Sequence, residues 1–361
     1  MSVLSYRANA SRVQIHITDS NSILQSEIRG APKPAVVVDS RVAELYRELL
    51  VDIESTGEAV VKLFDSKEEN KTLAKAEELL DFFLQQNIRR DSVLFAIGGG
   101  IVGDLAGFVA AIFQRGIEYV HVPTTLLAMV DSSVGGKVGV NNSFGKNMVG
   151  AFHQPRSILM NTRFLDTLPK EELVCGLGEV VKYGVLRGEA FFDFLETNHA
   201  RLLNRDKRTL QRTIKMSVET KKRYIERDVR ETGIRAHLNL GHTIGHALES
   251  ATGYGTFKHG EAVLIGLVAE SHVAMHMKLL RPSGFERILT MVRQIAQHKS
   301  ARVSIDAVIK KLIFDKKVRS GKVRFVLPAA IGKVVIRDDV PTEAVSDSLR
   351  FVAADGFLSI A

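Results

Sequence analysis

The sequence predicts an α/β protein in two parts: an N-terminal parallel-sheet domain over residues 1–165 and a mostly α-helical domain over residues 166–361. Three observations carry this reading. Short runs of β-branched and apolar residues alternate with helical patterns through the first part, the rhythm of a sheet covered by helices. After about residue 166 the pattern changes to long helical stretches. A chain of 361 residues also exceeds the usual size of a single core.

In chain order, strands are expected at VQIHI (13–17), AVVVD (35–39), VVKLF (60–64), VLFAIG (93–98), YVHVP (119–123) and SILMN (157–161). The segment 67–86, KEENKTLAKAEELLDFFLQQ, has the apolar repeat and charge pairs of an amphipathic helix. The second part reads as helices over 170–184, 189–200, 206–227, 240–251, 260–280 and 283–298. Two strand-like runs, VRFVLP (323–328) and KVVIR (333–337), precede a C-terminal helix, and no internal repeat is visible.

Composition excludes several classes. Hydrophobic residues at 45% and charged residues at 25% are those of a soluble globular protein. No segment approaches the roughly 20 apolar residues of a membrane span, and MSVLSYRANASRVQIHITDS lacks the apolar centre of a secretory signal. The single cysteine, Cys175, excludes an internal disulfide and fits a reducing cytoplasm; its setting LVCGLGEVV suggests a small buried hydrophobe. A net charge of +8 raises nucleic acid as a partner. The basic clusters are short, however, tryptophan is absent, and no aromatic platform is interleaved with them. An anionic small molecule accounts equally well for the excess of lysine and arginine.

Three constellations suggest chemistry. In LNLGHTIGHALES, His242 and His246 stand four apart and share one helix face; His259 follows a Gly-rich turn, and Glu179 lies in GLGEVVKYG with Lys182 three residues on. One carboxylate with two or three imidazoles suits a divalent metal such as zinc. Any one of these histidines alone would be a core or surface residue; the set is what points to a metal. The second constellation is VLFAIGGGIVGDLAGF, where Gly98, Gly100 and Gly103 follow a strand and open a helix in G-x-G-x-x-G spacing. Such a turn brings backbone N–H groups to a pyrophosphate, as in Rossmann-like domains. It comes some ninety residues into the chain, and no acidic residue ends the next strand, so Asp104, Thr124 and Thr125 are candidate polar contacts instead. The third is the stretch 131–155, DSSVGGKVGVNNSFGKNMVGAFHQP, read as a loop presenting Lys137, Lys146 and Asn147 among glycines, with Arg115 upstream. Lys221, Arg235 and Asn239 approach the first histidine, and one helix face could offer Arg235, Asn239 and His242 together.

These residues resemble the dehydroquinate synthases, the shikimate-pathway members of the sugar-phosphate cyclase superfamily. The likeness runs from about Asp39 to Pro328 through GGGIVGDLAGF, RGIEYVHVPTTLLAMVDSSVGGKVGVN, GKNMVGAFHQP, GLGEVVKYG, RETGIRAHLNLGHTIGHALE, KHGEAV and FDKKVRSGKVRFVLP. It implies a seven-carbon keto sugar acid phosphate (3-deoxy-D-arabino-heptulosonate 7-phosphate) as substrate, NAD⁺ as a cofactor regenerated each turnover, and one Zn²⁺ or Co²⁺. The implied metal ligands are Glu179, His242 and His259, with His246 beside the substrate. Substrate contacts are implied for Arg115, Asp131, Lys137, Asn147, Lys182, Lys221, Arg235, Asn239 and either Lys316 or Lys317. Cofactor contacts are implied for Asp39, Glu68, Lys71, Gly99, Gly100, Ile101, Asp104, Thr124, Thr125, Lys137, Lys146 and Thr167. A homodimer is implied as well, with no membrane partner.

Three positions depart from the family pattern. Gly178 stands where alanine is more frequent, a change expected only to loosen local packing. Val229 replaces an acid after Asp228, and Arg41 stands where a cofactor-contacting asparagine is common. Rival readings are an inosose- or valiolone-forming cyclase, a metal-dependent polyol dehydrogenase, and a non-catalytic NAD-binding regulator. The first should alter the substrate-carboxylate contacts, the second has no use for so many lysines, and the third should fail to hold metal.

Overall fold

The computed structural model describes residues 1–8, 10–253, 255–296, 301–314 and 323–361. It contains two compact units, Met1–Leu168 with Leu210–Val229, and Pro169–Thr209 with Arg230–Ala361. The sequence reading put its single boundary between residues 165 and 166; the units place it after Leu168 and return residues 210–229 to the first.

The first unit begins with β1 (Ser2–Ala8), β2 (Ser11–Thr18), α1 (Ser22–Gly30), β3 (Ala35–Asp39), α2 (Ser40–Leu45), α3 (Arg47–Glu54) and β4 (Val60–Phe64). It continues with α4 (Leu73–Gln85), β5 (Val93–Gly98), α5 (Gly100–Ile112), β6 (Glu118–Pro123), β7 (Lys137–Asn142), β8 (Gly145–Phe152) and β9 (Ser157–Asn161). Seven strands form one sheet in the order β1-β2-β9-β6-β5-β3-β4. Only β1 pairs antiparallel; the other pairings are parallel. Every residue of β3, β5 and β9 is buried, as expected of strands covered on both faces. Strand order reverses between β3 and β5, and in open parallel sheets a crevice forms there, outside the carboxyl ends of the strands. Asp39 ends β3 and Gly98 ends β5.

Packing on this sheet depends on the motif glycines. A Cβ on Gly103 would lie 2.1 Å from Nε2 of His121 in β6, and one on Gly107 would lie 2.5 Å from the Val138 side chain in β7. Their absence lets α5 lie close to the strands. The helix read over 67–86 is interrupted: a 3₁₀ turn, Glu68–Asn70, comes first, and α4 begins only after Thr72, whose hydroxyl caps it by accepting from the Lys75 N–H. The stretch read as a lysine-rich loop is in fact the antiparallel hairpin β7–β8. Its glycines serve cross-strand contact, since a Cβ on Gly139 would meet the Val149 carbonyl at 2.6 Å.

The second unit starts with α6 (Lys170–Arg187) and α7 (Glu189–Leu203). The next helix, α8 (Lys207–Arg227), has its body in the first unit. Lys222 Nζ donates there to the Ser5 carbonyl at 2.7 Å. The second unit resumes with α9 (His242–Ala251), α10 (His259–His276), α11 (Pro282–Ile295), β10 (Arg302–Val303), α12 (Ile305–Phe314), β11 (Phe325–Ala330), β12 (Lys333–Arg337), α13 (Thr342–Ala354) and β13 (Ser359–Ile360). Helix α10 is buried on all sides from Gly260 to Ala274, which makes it the central helix, packed by α6, α9, α11 and α13. Among the described residues no helix is long and apolar enough to cross a membrane.

Candidate metal and cofactor sites

Three helices of the second unit bring the proposed metal residues together, and each does so beside a glycine. Gly178 precedes Glu179 on α6, Gly241 precedes His242, Gly245 precedes His246 on α9, and Gly260 follows His259 on α10. A Cβ on Gly178 would lie 2.3 Å from the Gly260 carbonyl, and one on Gly260 would lie 1.8 Å from the Cys175 carbonyl. One on Gly245 would lie 2.9 Å from the Ala262 carbonyl. Backbone therefore meets backbone at each ligand position. The expectation that Gly178 merely loosens packing is corrected: it permits a close approach of α6 to α10.

Glu179 is fully buried; its Oε2 is paired with the Lys182 ammonium, and its Oε1 faces two imidazoles. Nε2 of His242 lies 3.3 Å from its Oε1, and Nε2 of His259 lies 3.4 Å from the same oxygen. The other ring nitrogens are held elsewhere. His242 Nδ1 faces the Leu240 carbonyl at 3.0 Å, and His259 Nδ1 faces Glu249 at 3.4 Å. With Nδ1 donating, each Nε2 carries a lone pair toward the carboxylate. Three electron-pair donors converging on a buried point suit a cation, and that is the chemistry a divalent metal needs. His246 joins the two histidines: its ligand atom and those of His242 and His259 all lie within 4.8 Å of one another. The geometry thus brings all four residues together.

The electrostatics of the cluster agree. Burial opposes ionisation of Glu179, but the Lys182 ammonium paired with it, and then His242, hold it well below the usual carboxylate range. Burial and Lys182 lower the His242 pKa. For His259 burial works downward too, yet contact with Glu179 and Glu249 outweighs it and raises the pKa to about 10. Two carboxylates around one imidazole draw positive charge there, as a cation site does. Glu249 escaped the sequence reading, although it stands seven residues after His242 and three after His246, on the same helix face.

Elsewhere in the second unit Arg235 is buried and Asn239 Nδ2 donates to Glu231 at 3.0 Å. The idea that Arg235, Asn239 and His242 share one helix face is wrong. Ile234–Asn239 is a 3₁₀ segment, and Gly241 at φ 78° turns the chain before α9 begins. A left-handed residue at that point resets the helical register.

In the first unit the proposed cofactor residues gather at the carboxyl ends of the strands. Gly99 caps α5, leaving the first-turn N–H groups at Gly100 and Ile101 open to an anion. Thr124 follows β6 and donates its N–H to the Gly98 carbonyl at 2.9 Å, while the Thr125 hydroxyl accepts from the Ala128 N–H at 3.1 Å. Asp39 caps α2, accepting from Arg41 N–H at 2.7 Å, and its second oxygen accepts from Ser66. The Arg41 guanidinium turns outward to Glu44. Lys71 Nζ lies 2.5 Å from both Asp104 and Asn147. Burial raises the Asp104 pKa despite that lysine. Glu68 accepts from Asn141 at 2.7 Å and has Lys146 at 3.9 Å, so the hairpin is tied to the 68–71 segment. Thr167 bonds Tyr46 at 2.9 Å.

Of the proposed substrate residues in the same unit, Asp131 and Lys221 adjoin that group: a Cβ on Gly100 would lie 3.1 Å from the Ser132 hydroxyl, and the Lys221 charge acts on Asp104. Lys221 Nζ donates to both the carbonyl and the carboxylate of Asp131 at 2.7 Å, in a π-helical turn, Ala128–Ser132, of the kind often found at functional sites. Lys137 opens β7 and is exposed. Arg115, at φ 70°, sits beyond the far end of α5, about 20 Å from Gly100 along a 13-residue helix. The structure does not bring it near the glycine turn. Lys316 and Lys317 lie outside the described residues.

Comparison with known proteins narrows the reading. The sequence matches the 3-dehydroquinate synthase N-terminal family over residues 61–175 and the C-terminal family over 176–318. The chain belongs to the 3-dehydroquinate synthase family. Two curated 3-dehydroquinate synthases make the relation concrete. That of Acidithiobacillus ferrooxidans is 44% identical over 322 residues, 88% of either chain. That of Desulforamulus reducens is 42% identical over 328 residues, covering 90% of this chain and 91% of its own. Among solved structures, a 2-epi-5-epi-valiolone synthase from Streptomyces hygroscopicus, with NAD⁺ and Zn²⁺ bound, superposes with a TM-score of 0.87 at 25% identity over 98% of each chain. A 2-deoxy-scyllo-inosose synthase complexed with carbaglucose-6-phosphate, NAD⁺ and Co²⁺ gives 0.87 at 24% identity, covering 97% of this chain and all of that one. An iron-containing alcohol dehydrogenase shares the fold at a TM-score of 0.67 and 16% identity, covering 98% of this chain and 99% of its own.

Proposed function

We propose that this enzyme converts 3-deoxy-D-arabino-heptulosonate 7-phosphate to 3-dehydroquinate and phosphate, as a phosphate-eliminating carbon–oxygen lyase of aromatic biosynthesis. One observation carries the choice within the superfamily. Identity to 3-dehydroquinate synthases is 40–44% over about nine-tenths of the chain, against 24–25% to the valiolone- and inosose-forming synthases.

In this reading Glu179, His242 and His259 hold a divalent ion, Zn²⁺ or Co²⁺, and the first unit holds NAD⁺ along Asp39, Gly99–Gly100 and Thr124–Thr125. When bound, the ion supplies Lewis acidity to the substrate hydroxyls and NAD⁺ supplies a hydride acceptor that ends each turnover oxidised. The remaining work is positioning and charge. A carbonyl formed next to the leaving group acidifies the adjacent C–H, and the departing phosphate takes that proton. Lysine ammonium groups and a guanidinium offset the negative charge that develops on it, the role assigned to Lys137, Lys221 and Arg115. Lys182 keeps Glu179 ionised, so the carboxylate stays a ligand. Return of the hydride, ring opening and an internal aldol closure then give the carbocycle with no net redox change. Assembly as a homodimer in the cytoplasm completes the reading.

The test is phosphate release from the heptulosonate phosphate, with and without NAD⁺ and with a chelator. Release that needs both NAD⁺ and metal, without NADH accumulation, supports the assignment. Steady NADH accumulation would indicate a polyol dehydrogenase, and absence of release would indicate a sister cyclase.

A further inference from the structure

The first turn of α9 presents His242 at its first helical position, yet its N-cap is Gly241, which has no side chain to cap it. The cap comes from another helix. Glu270 of α10 is fully buried, and its Oε2 accepts from the Gly241 N–H at 2.6 Å. Its Oε1 accepts from the Thr243 N–H at 3.0 Å and the Ile244 N–H at 3.1 Å. These are the donors that a capping side chain normally satisfies, and a negative charge there also meets the positive end of the helix dipole. Gly266, one turn earlier on α10, makes the reach possible: a Cβ on it would lie 2.0 Å from the Gly241 carbonyl.

We infer that Glu270 is the positioning residue of the metal centre, fixing the start of α9, and so the His242 imidazole, against the helix that carries His259. Its carboxylate accepts from backbone N–H groups at the start of α9. It acts by holding the backbone on which His242 stands, while α10 itself supplies the partner histidine. Nothing within α9 does this work, because the residue before the helix is a left-handed glycine. The inference rests on His242 being a metal ligand, so its test measures that too.

The experiment is zinc affinity by competition with a chromophoric chelator, on the full chain, for wild type, Glu270→Gln, His242→Ala and Ile288→Ala. Glutamine keeps the volume of the side chain but turns an NH₂ toward a backbone donor, so one set of cap bonds is lost. Substitutions that disturb the support of a metal ligand weaken binding by about tenfold or more, and that is the loss expected for Glu270→Gln. Ile288→Ala, on α11, is a stability control, and its zinc affinity is expected to stay at the wild-type value although the metal-free protein melts lower. Unchanged affinity in Glu270→Gln, with His242→Ala defective, overturns the inference alone. Equal losses in Glu270→Gln and Ile288→Ala overturn it as well, since the effect would then be general destabilisation. A wild type that binds no zinc, or a His242→Ala variant that binds normally, overturns the ligand reading and the inference with it.

Discussion

At position 121 an imidazole occupies the space that a Cβ on Gly103 would need, and its buried Nε2 has no hydrogen bond among the described residues. Burial lowers its pKa to about 4. In the unfolded chain the same group titrates near 6.5, so between these values the unfolded state binds the extra proton and stability falls as pH is lowered. Above about 6.5 both states are neutral and the contribution is constant. Denaturant midpoints of wild type and His121→Gln at pH 7.5 and pH 5 should therefore converge on acidification, the variant losing less; a parallel decline would remove His121 as a cause. His259 is a residue of the opposite kind, with two carboxylates drawing positive charge onto it. His259→Ala should lose zinc and phosphate-releasing activity together. A variant that retained stoichiometric zinc would exclude it as a ligand.

Close contacts between elements decide how the ligands meet, and here the reading of the sequence met its limit. Gly178→Ala places a methyl 2.3 Å from the Gly260 carbonyl, which neither helix can absorb without moving. Overpacking of this kind costs about 1–3 kcal/mol, and the displaced α6 carries Glu179. A lower denaturant midpoint and weaker zinc binding are expected together; a midpoint equal to wild type would mean that the helices have room to spare. The buried strands were legible because continuous apolar runs such as AVVVD and VLFAIG between helical patterns admit few other readings. The β7–β8 hairpin was not, since its glycines and asparagines carry the composition of a loop while serving cross-strand contact at Gly139 and Gly150. The His242–His246 pair could be read from local spacing, whereas Glu179 and His259 were joined to it by their motifs and the family resemblance. Glu270 had no local signal, because the N–H groups it caps lie 26 to 29 residues away.

For the whole molecule the relevant quantity is charge. Forty-nine lysines and arginines against 41 aspartates and glutamates give +8. Many of these charges are compensated locally, as in Arg287 with Glu189, Asp193 and Glu196, and such pairs add little to a long-range field. A net excess remains, and the substrate carries both a phosphate and a carboxylate. A field of this sign raises the encounter rate of an anion without altering the chemistry that follows, and added salt screens it over a Debye length of about 10 Å at 0.1 M. The expected result is a fall in kcat/KM as sodium chloride is raised from low to high ionic strength, with kcat at saturating substrate nearly constant. A neutral osmolyte at equal osmolality should leave both unchanged. If kcat/KM stays flat with salt, local lysine contacts rather than the overall charge govern capture of the substrate; a fall in kcat instead would place the screened interaction in the bound state.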